Sequence, residues 1–181
     1  NELTLRFKKD WNVEFRAYND GIAYRFVSRS KKPFNVVDET VDYRFPSDMV
    51  ASVPYVKAGK DGDYESQYFN SFENTYTTDR LSKLNKKRLM FLPLVVDAGE
   101  GVKICITESG LENYPGLYLS AAEGENRLTG QFAPYPKKTV QGGHNQLQML
   151  VKEREAYIAK VDNPRSFPWR MSIVTTSDKD L

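Results

Sequence analysis

The stretch WNVEFRAYNDGIAYRFVS, residues 11–28, constrains the fold more than any other part of the chain. Trp11, Val13, Phe15 and Ala17 alternate with Asn12, Glu14, Arg16 and Tyr18, and Ile22, Tyr24 and Phe26 resume the alternation after Asn19-Asp20-Gly21. Strand side chains project to opposite faces with period two, whereas a helix repeats every 3.6 residues. Two such runs around a glycine-containing turn predict a β-hairpin. The expected turn has φ > 0, which Gly21 adopts without strain and Asn or Asp tolerates.

Further strand-like runs occupy 33–45, 88–98, 101–109 and 116–122, the second and third forming another hairpin around DAGEG. With RLTGQFAPYP, REAYIAKV and WRMSIVTTS they make about eight or nine short strands separated by Gly and Pro. NQLQMLVKEREAY, residues 145–157, offers a helical alternative through Leu147, Leu150 and Val151, but reads as an amphipathic strand. The predicted fold class is all-β: an antiparallel β-sandwich, with 1–181 forming a single domain. The chain has 181 residues, 40% of them hydrophobic, which is enough for one core. It opens inside a strand-like pattern at NELTLRF, which predicts that the natural protein starts earlier.

Several function classes are disfavoured at this level. Lys and Arg number 26 against 24 Asp and Glu, so no large single-sign field calls for nucleic acid or an anionic membrane. The basic run KLNKKRL at 83–89 reads as a solvated edge or loop. No apolar run has the length of a membrane-spanning helix. The one histidine, His144 in QGGHNQ, reads as a loop residue rather than a catalytic base, and Cys105, between Ile104 and Ile106, as a small buried hydrophobe. Zinc chemistry would need more His and Cys than are present.

Oxygen chemistry remains. Candidate carboxylates are Asp61, Asp63, Glu65 and Glu73 in the long polar stretch 46–85, and Glu108 and Glu112 after a strand. DGDYE lacks the spacing of an EF-hand and reads as a solvated loop. The stretch 46–85 also carries six aromatic residues, at 55, 64, 68, 69, 72 and 76, which argues against simple disorder. Tyr68, Phe69, Phe72 and Tyr76 beside Asn70, Asn74 and Glu73 could stack on sugar rings and bind hydroxyls, or could simply pack the loop onto the sandwich.

Four segments in order, YNDGIAYRF, FENTYTTDRL, LPLVVDAGEGVKICITESGLENYPGLYL and FPWRMSIV, resemble the N-terminal domain of glycoside hydrolase family 97, the α-glucosidases and α-galactosidases common in Bacteroidetes. The resemblance implies part of a galactose-mutarotase-like β-super-sandwich, N-terminally truncated and separated from the catalytic (β/α)8 barrel on which the acid, base and nucleophile carboxylates lie. It therefore implies no catalytic residue here. It implies a calcium ion in the intact enzyme, with Glu73, in the motif matching FENTYT, as the ligand contributed by this domain. The implied partners are the barrel of the same polypeptide and an α-linked oligosaccharide, and the implied location is periplasmic or otherwise exported. Asn74, Tyr76 and Arg80 are expected to support Glu73 by hydrogen bonding, and Trp169 and Arg170 to pack and orient a strand. A stand-alone carbohydrate-binding module and a purely structural domain are the rival readings.

Overall fold

A computed structural model describes every residue except Asn70, Glu123 and Glu125, so the expectation attached to Asn70 lies outside the described residues. The strands are β1 Glu2–Arg6, β2 Trp11–Tyr18, β3 Gly21–Ser28, β4 Phe34–Val36, β5 Asp42–Arg44 and β6 Val50–Pro54. A one-turn helix α1, Tyr64–Gln67, precedes β7 Tyr76–Arg80, β8 Leu94–Gly99, β9 Val102–Ser109, β10 Tyr118–Ala121 and β11 Arg127–Gln131. β12 Pro136–Gly142, β13 Gln148–Arg154, β14 Ala159–Val161, β15 Arg165–Ser166 and β16 Trp169–Thr175 complete the described elements.

All the strand pairs are antiparallel. The large sheet runs β1-β2-β3-β16-β9-β8-β6-β7, with β15 also on β3. A β10-β11-β5 sheet faces it, and β4-β14 and β12-β13 form separate pairs. Ala51 and Val53 of β6, Leu94 and Val96 of β8 and Ile106 of β9 meet Leu119, Ala121, Leu128 and Val41 in one buried cluster. Two stacked antiparallel sheets closing on one apolar cluster make a β-sandwich, as the alternation predicts.

The predicted hairpin is β2–β3, with Tyr18 opposite Gly21. Its turn differs from the expected one: none of Asn19, Asp20 and Gly21 lies in the left-handed region. Glycine is needed at 21 for space, because a Cβ there would stand 2.4 Å from the carbonyl oxygen of Ser172 on the neighbouring β16. The left-handed pair sits one hairpin earlier, at Lys9 (φ 61) and Asp10 (φ 65).

Other expectations need correction. The sixteen strands among the described residues exceed the eight or nine expected, because long runs break where the chain changes layer. Residues 33–45 split into β4, paired with β14, and β5, paired with β11. Only Leu94–Ala98 of 88–98 lies in β8, and the Leu92-Pro93 peptide before it is cis. The stretch 46–85 contains two strands of the large sheet, β6 and β7. Residues 148–154 are strand, as read.

Register shows how far the core face extends. Glu108 lies opposite Arg170, Arg170 opposite Tyr24, Tyr24 opposite Phe15 and Phe15 opposite Leu3, so these five share one face. Along that row burial gives way to exposure, from Arg170 at 2% through Phe15 at 39% to Leu3 at 56%. The inner face therefore continues beyond the opposing layer.

Candidate functional site

Most of the candidate carboxylates have structural partners. Asp61 pairs with the Arg88 guanidinium at 2.8 Å. Asp63 caps α1 by accepting from the Ser66 N–H at 3.2 Å. Glu65 accepts from Arg154 Nε at 2.5 Å. Glu108 is buried, accepting from the Leu117 N–H at 2.8 Å and pairing with Arg170. Glu112 is exposed, and its carbonyl oxygen accepts from Arg165. Glu73 is exposed and has no hydrogen bond or ion pair among the described residues.

The loop that carries Glu73 is held from below. Gln67 is fully buried, and its Nε2 donates to the carbonyls of Lys60 (2.8 Å) and Lys87 (2.9 Å). Its Oε1 accepts from the Leu89 N–H at 2.8 Å. Val56, Leu89, Phe91 and Tyr118 form a second buried cluster on which Tyr64 and Tyr68 pack. Tyr68 donates its hydroxyl to the Phe132 carbonyl at 3.2 Å, and burial pushes its pKa up to about 12. The aromatic residues of this segment thus largely tie the loop to the sandwich. Phe69 and Phe72 remain 49% and 58% exposed.

Phe72 has φ 55, a left-handed conformation that is unusual for a bulky side chain and costs about 1–2 kcal/mol. Its ring lies parallel to Tyr118 (centroids 6.0 Å apart, 20° between planes) and edge-on to Phe91 (5.4 Å, 86°). Aromatic pairs contribute roughly 0.5–1.5 kcal/mol each, enough to offset the backbone cost. On the other side of Glu73, Asn74 Nδ2 donates to the Tyr55 carbonyl at 2.8 Å while its Oδ1 accepts from the Thr75 N–H at 2.9 Å. Tyr76 donates its hydroxyl to the Pro93 carbonyl at 2.7 Å, and Arg80 reaches the Asp48 carbonyl at 2.9 Å. The expectation that Asn74, Tyr76 and Arg80 bond to Glu73 is therefore corrected: they fix the backbone around it, and its carboxylate stays clear of them.

Phe72 also borders a cleft of about 390 Å³ lined by Tyr68, Phe91, Leu111, Leu117 and Tyr118. His144 and Cys105 take the places expected of them, exposed in a turn and buried in β9 respectively. Among the described residues no three His, Cys, Asp or Glu side chains are grouped as a metal site. Glu73 fits a calcium ion as one hard oxygen donor, and the six to eight oxygens that calcium prefers would have to be completed by groups outside this site.

The sequence reading missed one polar cluster. Arg170 lies between Glu39 and Glu108, with side chains 1%, 7% and 9% exposed. Arg170 Nε donates to Glu39 Oε1 at 2.9 Å, and Tyr114 donates its hydroxyl to Glu39 Oε2, also at 2.9 Å. Burial raises the Glu108 pKa above the ordinary carboxylate value, opposed by the Leu117 N–H and the Arg170 charge. Arg170 and Glu39 are 131 residues apart, and no local pattern could have joined them.

The fold is thus an antiparallel sandwich with an aromatic-backed loop in which, among the described residues, the Glu73 carboxylate is unengaged. The chain belongs to the glycosyl-hydrolase 97 N-terminal family, whose sequence profile matches residues 1–181. It is 82% identical over its whole length to a retaining alpha-galactosidase of Bacteroides thetaiotaomicron, and spans 27% of that protein. The fold is shared with a glycoside hydrolase family 97 enzyme from Pseudoalteromonas sp. strain K8 solved with acarbose. The TM-score there is 0.63 at 16% identity, over 92% of this chain and 21% of the other. A beta-arabinopyranosidase has the same fold, with TM-score 0.65 at 19% identity, over 92% of this chain and 25% of the other.

Proposed function

We propose that these residues form a non-catalytic N-terminal part of a retaining α-galactosidase, where they supply Glu73 to a calcium ion and one wall of the sugar site. The observation that carries this reading is the contrast between Glu73 and the other candidate carboxylates of the stretch 46–85. Asp61, Asp63, Glu65 and Glu108 are each engaged in a structural bond, whereas Glu73 alone in its loop segment is exposed, held by anchored neighbours and without a partner among the described residues. Identity of 82% to a protein described as a retaining alpha-galactosidase supports galactosides over glucosides.

Glu73 donates a carboxylate oxygen, and Asn74, Thr75 and Tyr76 hold the backbone that carries it. A calcium ion held there would supply charge able to polarise and position a sugar. The partner in this reading is the remainder of the same polypeptide, which brings the other oxygen ligands and the catalytic carboxylates. The test is hydrolysis of nitrophenyl α-galactoside and α-glucoside by the full-length polypeptide, with calcium and with chelator, for the wild type and Glu73→Gln. The expected result is calcium-dependent galactoside hydrolysis, with a loss of at least roughly 100-fold in the variant. Wild-type behaviour of the variant overturns the ligand role, and oligosaccharide binding by the 181-residue chain alone would favour a carbohydrate-binding module instead.

A further inference from the structure

Resting on the calcium-ligand reading of Glu73, we propose that Phe72 and Asn74 are positioning residues that hold Glu73 at the cation site before the cation arrives. A glutamate on an exposed loop ordinarily has to be ordered when it binds a metal, and that ordering is subtracted from affinity. Here the residues on either side of Glu73 are already fixed. Phe72 takes a left-handed backbone conformation that a bulky residue avoids unless its surroundings enforce it. Tyr118 and Phe91, each only 6% exposed, supply that enforcement through stacked and edge-on ring contacts. Asn74 is tied to the Tyr55 carbonyl, next to β6 of the large sheet.

Burial does not explain this arrangement. The Phe72 ring is 58% exposed, and its contacts with Tyr118 and Phe91 offset the backbone cost without burying the side chain. What the turn does fix is the backbone of the next residue, and the next residue is Glu73. Strained backbone held by well-ordered surroundings is the kind of feature found where a functional group must be presented in one geometry.

The test is calorimetric titration of calcium into calcium-stripped full-length polypeptide, with thermal melting of the calcium-free protein alongside. Phe72→Ala and Asn74→Ala are each expected to weaken calcium binding by roughly tenfold, the size seen for groups that orient a metal ligand. Phe72→Tyr, which keeps the ring contacts, should bind as the wild type does. Phe72→Ala combined with Glu73→Gln should bind no more weakly than Glu73→Gln alone, because positioning acts only through the ligand. If Glu73→Gln loses affinity while Phe72→Ala and Asn74→Ala keep it, positioning is overturned and the ligand reading stands. If Glu73→Gln itself binds calcium normally, the ligand reading falls and takes the positioning with it. Weaker binding accompanied by a matching fall in the calcium-free melting temperature would make both residues structural and also overturns the proposal.

Discussion

Arg170 balances two buried carboxylates with one positive charge, and the consequences differ for its two partners. Removing the cation would leave Glu39 and Glu108 charged and buried, so Arg170→Met is expected to cost about 3–5 kcal/mol in urea unfolding. Glu108→Gln should cost much less, since the amide oxygen still accepts from the Leu117 N–H and Arg170 keeps Glu39. The pH dependence separates them further. Burial raises the Glu108 pKa, so the folded state holds that proton more tightly than the unfolded state does. Its contribution to stability is complete below the ordinary carboxylate value of about 4.3 and is lost as pH rises through the raised value. Glu108→Gln removes this slope, so the difference between variant and wild type should shift in favour of the variant as pH rises from about 4 to 7; a shift the other way refutes the assignment. Tyr43 makes the complementary case. Its hydroxyl is buried without a hydrogen-bond partner among the described residues, and burial raises its pKa. Tyr43→Phe should raise stability by about 1 kcal/mol, measurable in the same unfolding experiment.

Long regular elements were legible in the sequence and short ones were not. β2 and β3 each carry eight residues of alternation, and β8 and β9 announce themselves around DAGEG. β6, a strand in the interior of the large sheet, is only VASVP, ending in a proline. β7, YTTDR, is exposed throughout and has no apolar face to read, which suits an edge strand that pairs on one side only. The site divides in the same way. Composition and spacing left Glu73 as one loop carboxylate among several, and only the FENTYT motif singled it out; the Phe72 conformation depends on Phe91 and Tyr118, which lie far along the chain. The loop between β6 and β7 depends on one side chain that its polar sequence does not advertise. Gln67 satisfies two carbonyls and the Leu89 N–H from a fully buried position. Gln67→Ala leaves that N–H unpaired beside a cavity, and is expected to cost about 2–4 kcal/mol. It should also open residues 57–75 to limited proteolysis before the sandwich unfolds. Unchanged protection of that segment would mean that the aromatic cluster alone holds it.

At the scale of the molecule, the two layers do not match in width. The opposing strands cover the inner face of the large sheet over β6, β8 and β9, but the same face continues across β3, β2 and β1 as Tyr24, Phe15 and Leu3, with Phe26, Val13 and Leu5 in the next row. Phe7, at 57% exposed, extends the patch, and Phe26, Val13, Trp11 and Phe167 line a shallow apolar cleft of about 410 Å³ beside it. An apolar face this continuous, on a sheet whose edge strand β1 pairs on one side only among the described residues, favours association. The chain spans 27% of its galactosidase relative, so a longer polypeptide has the material to cover it. The prediction is a reversal between two lengths of protein. In the 181-residue chain, Leu5→Lys with Phe15→Lys should reduce self-association in sedimentation and leave the unfolding midpoint nearly unchanged, since neither side chain is buried. In the full-length polypeptide the same pair should cost about 1–3 kcal/mol for each side chain that the additional chain buries. Equal effects at both lengths would mean that the face stays open to solvent in the longer protein, and that its apolar character serves contact with another molecule.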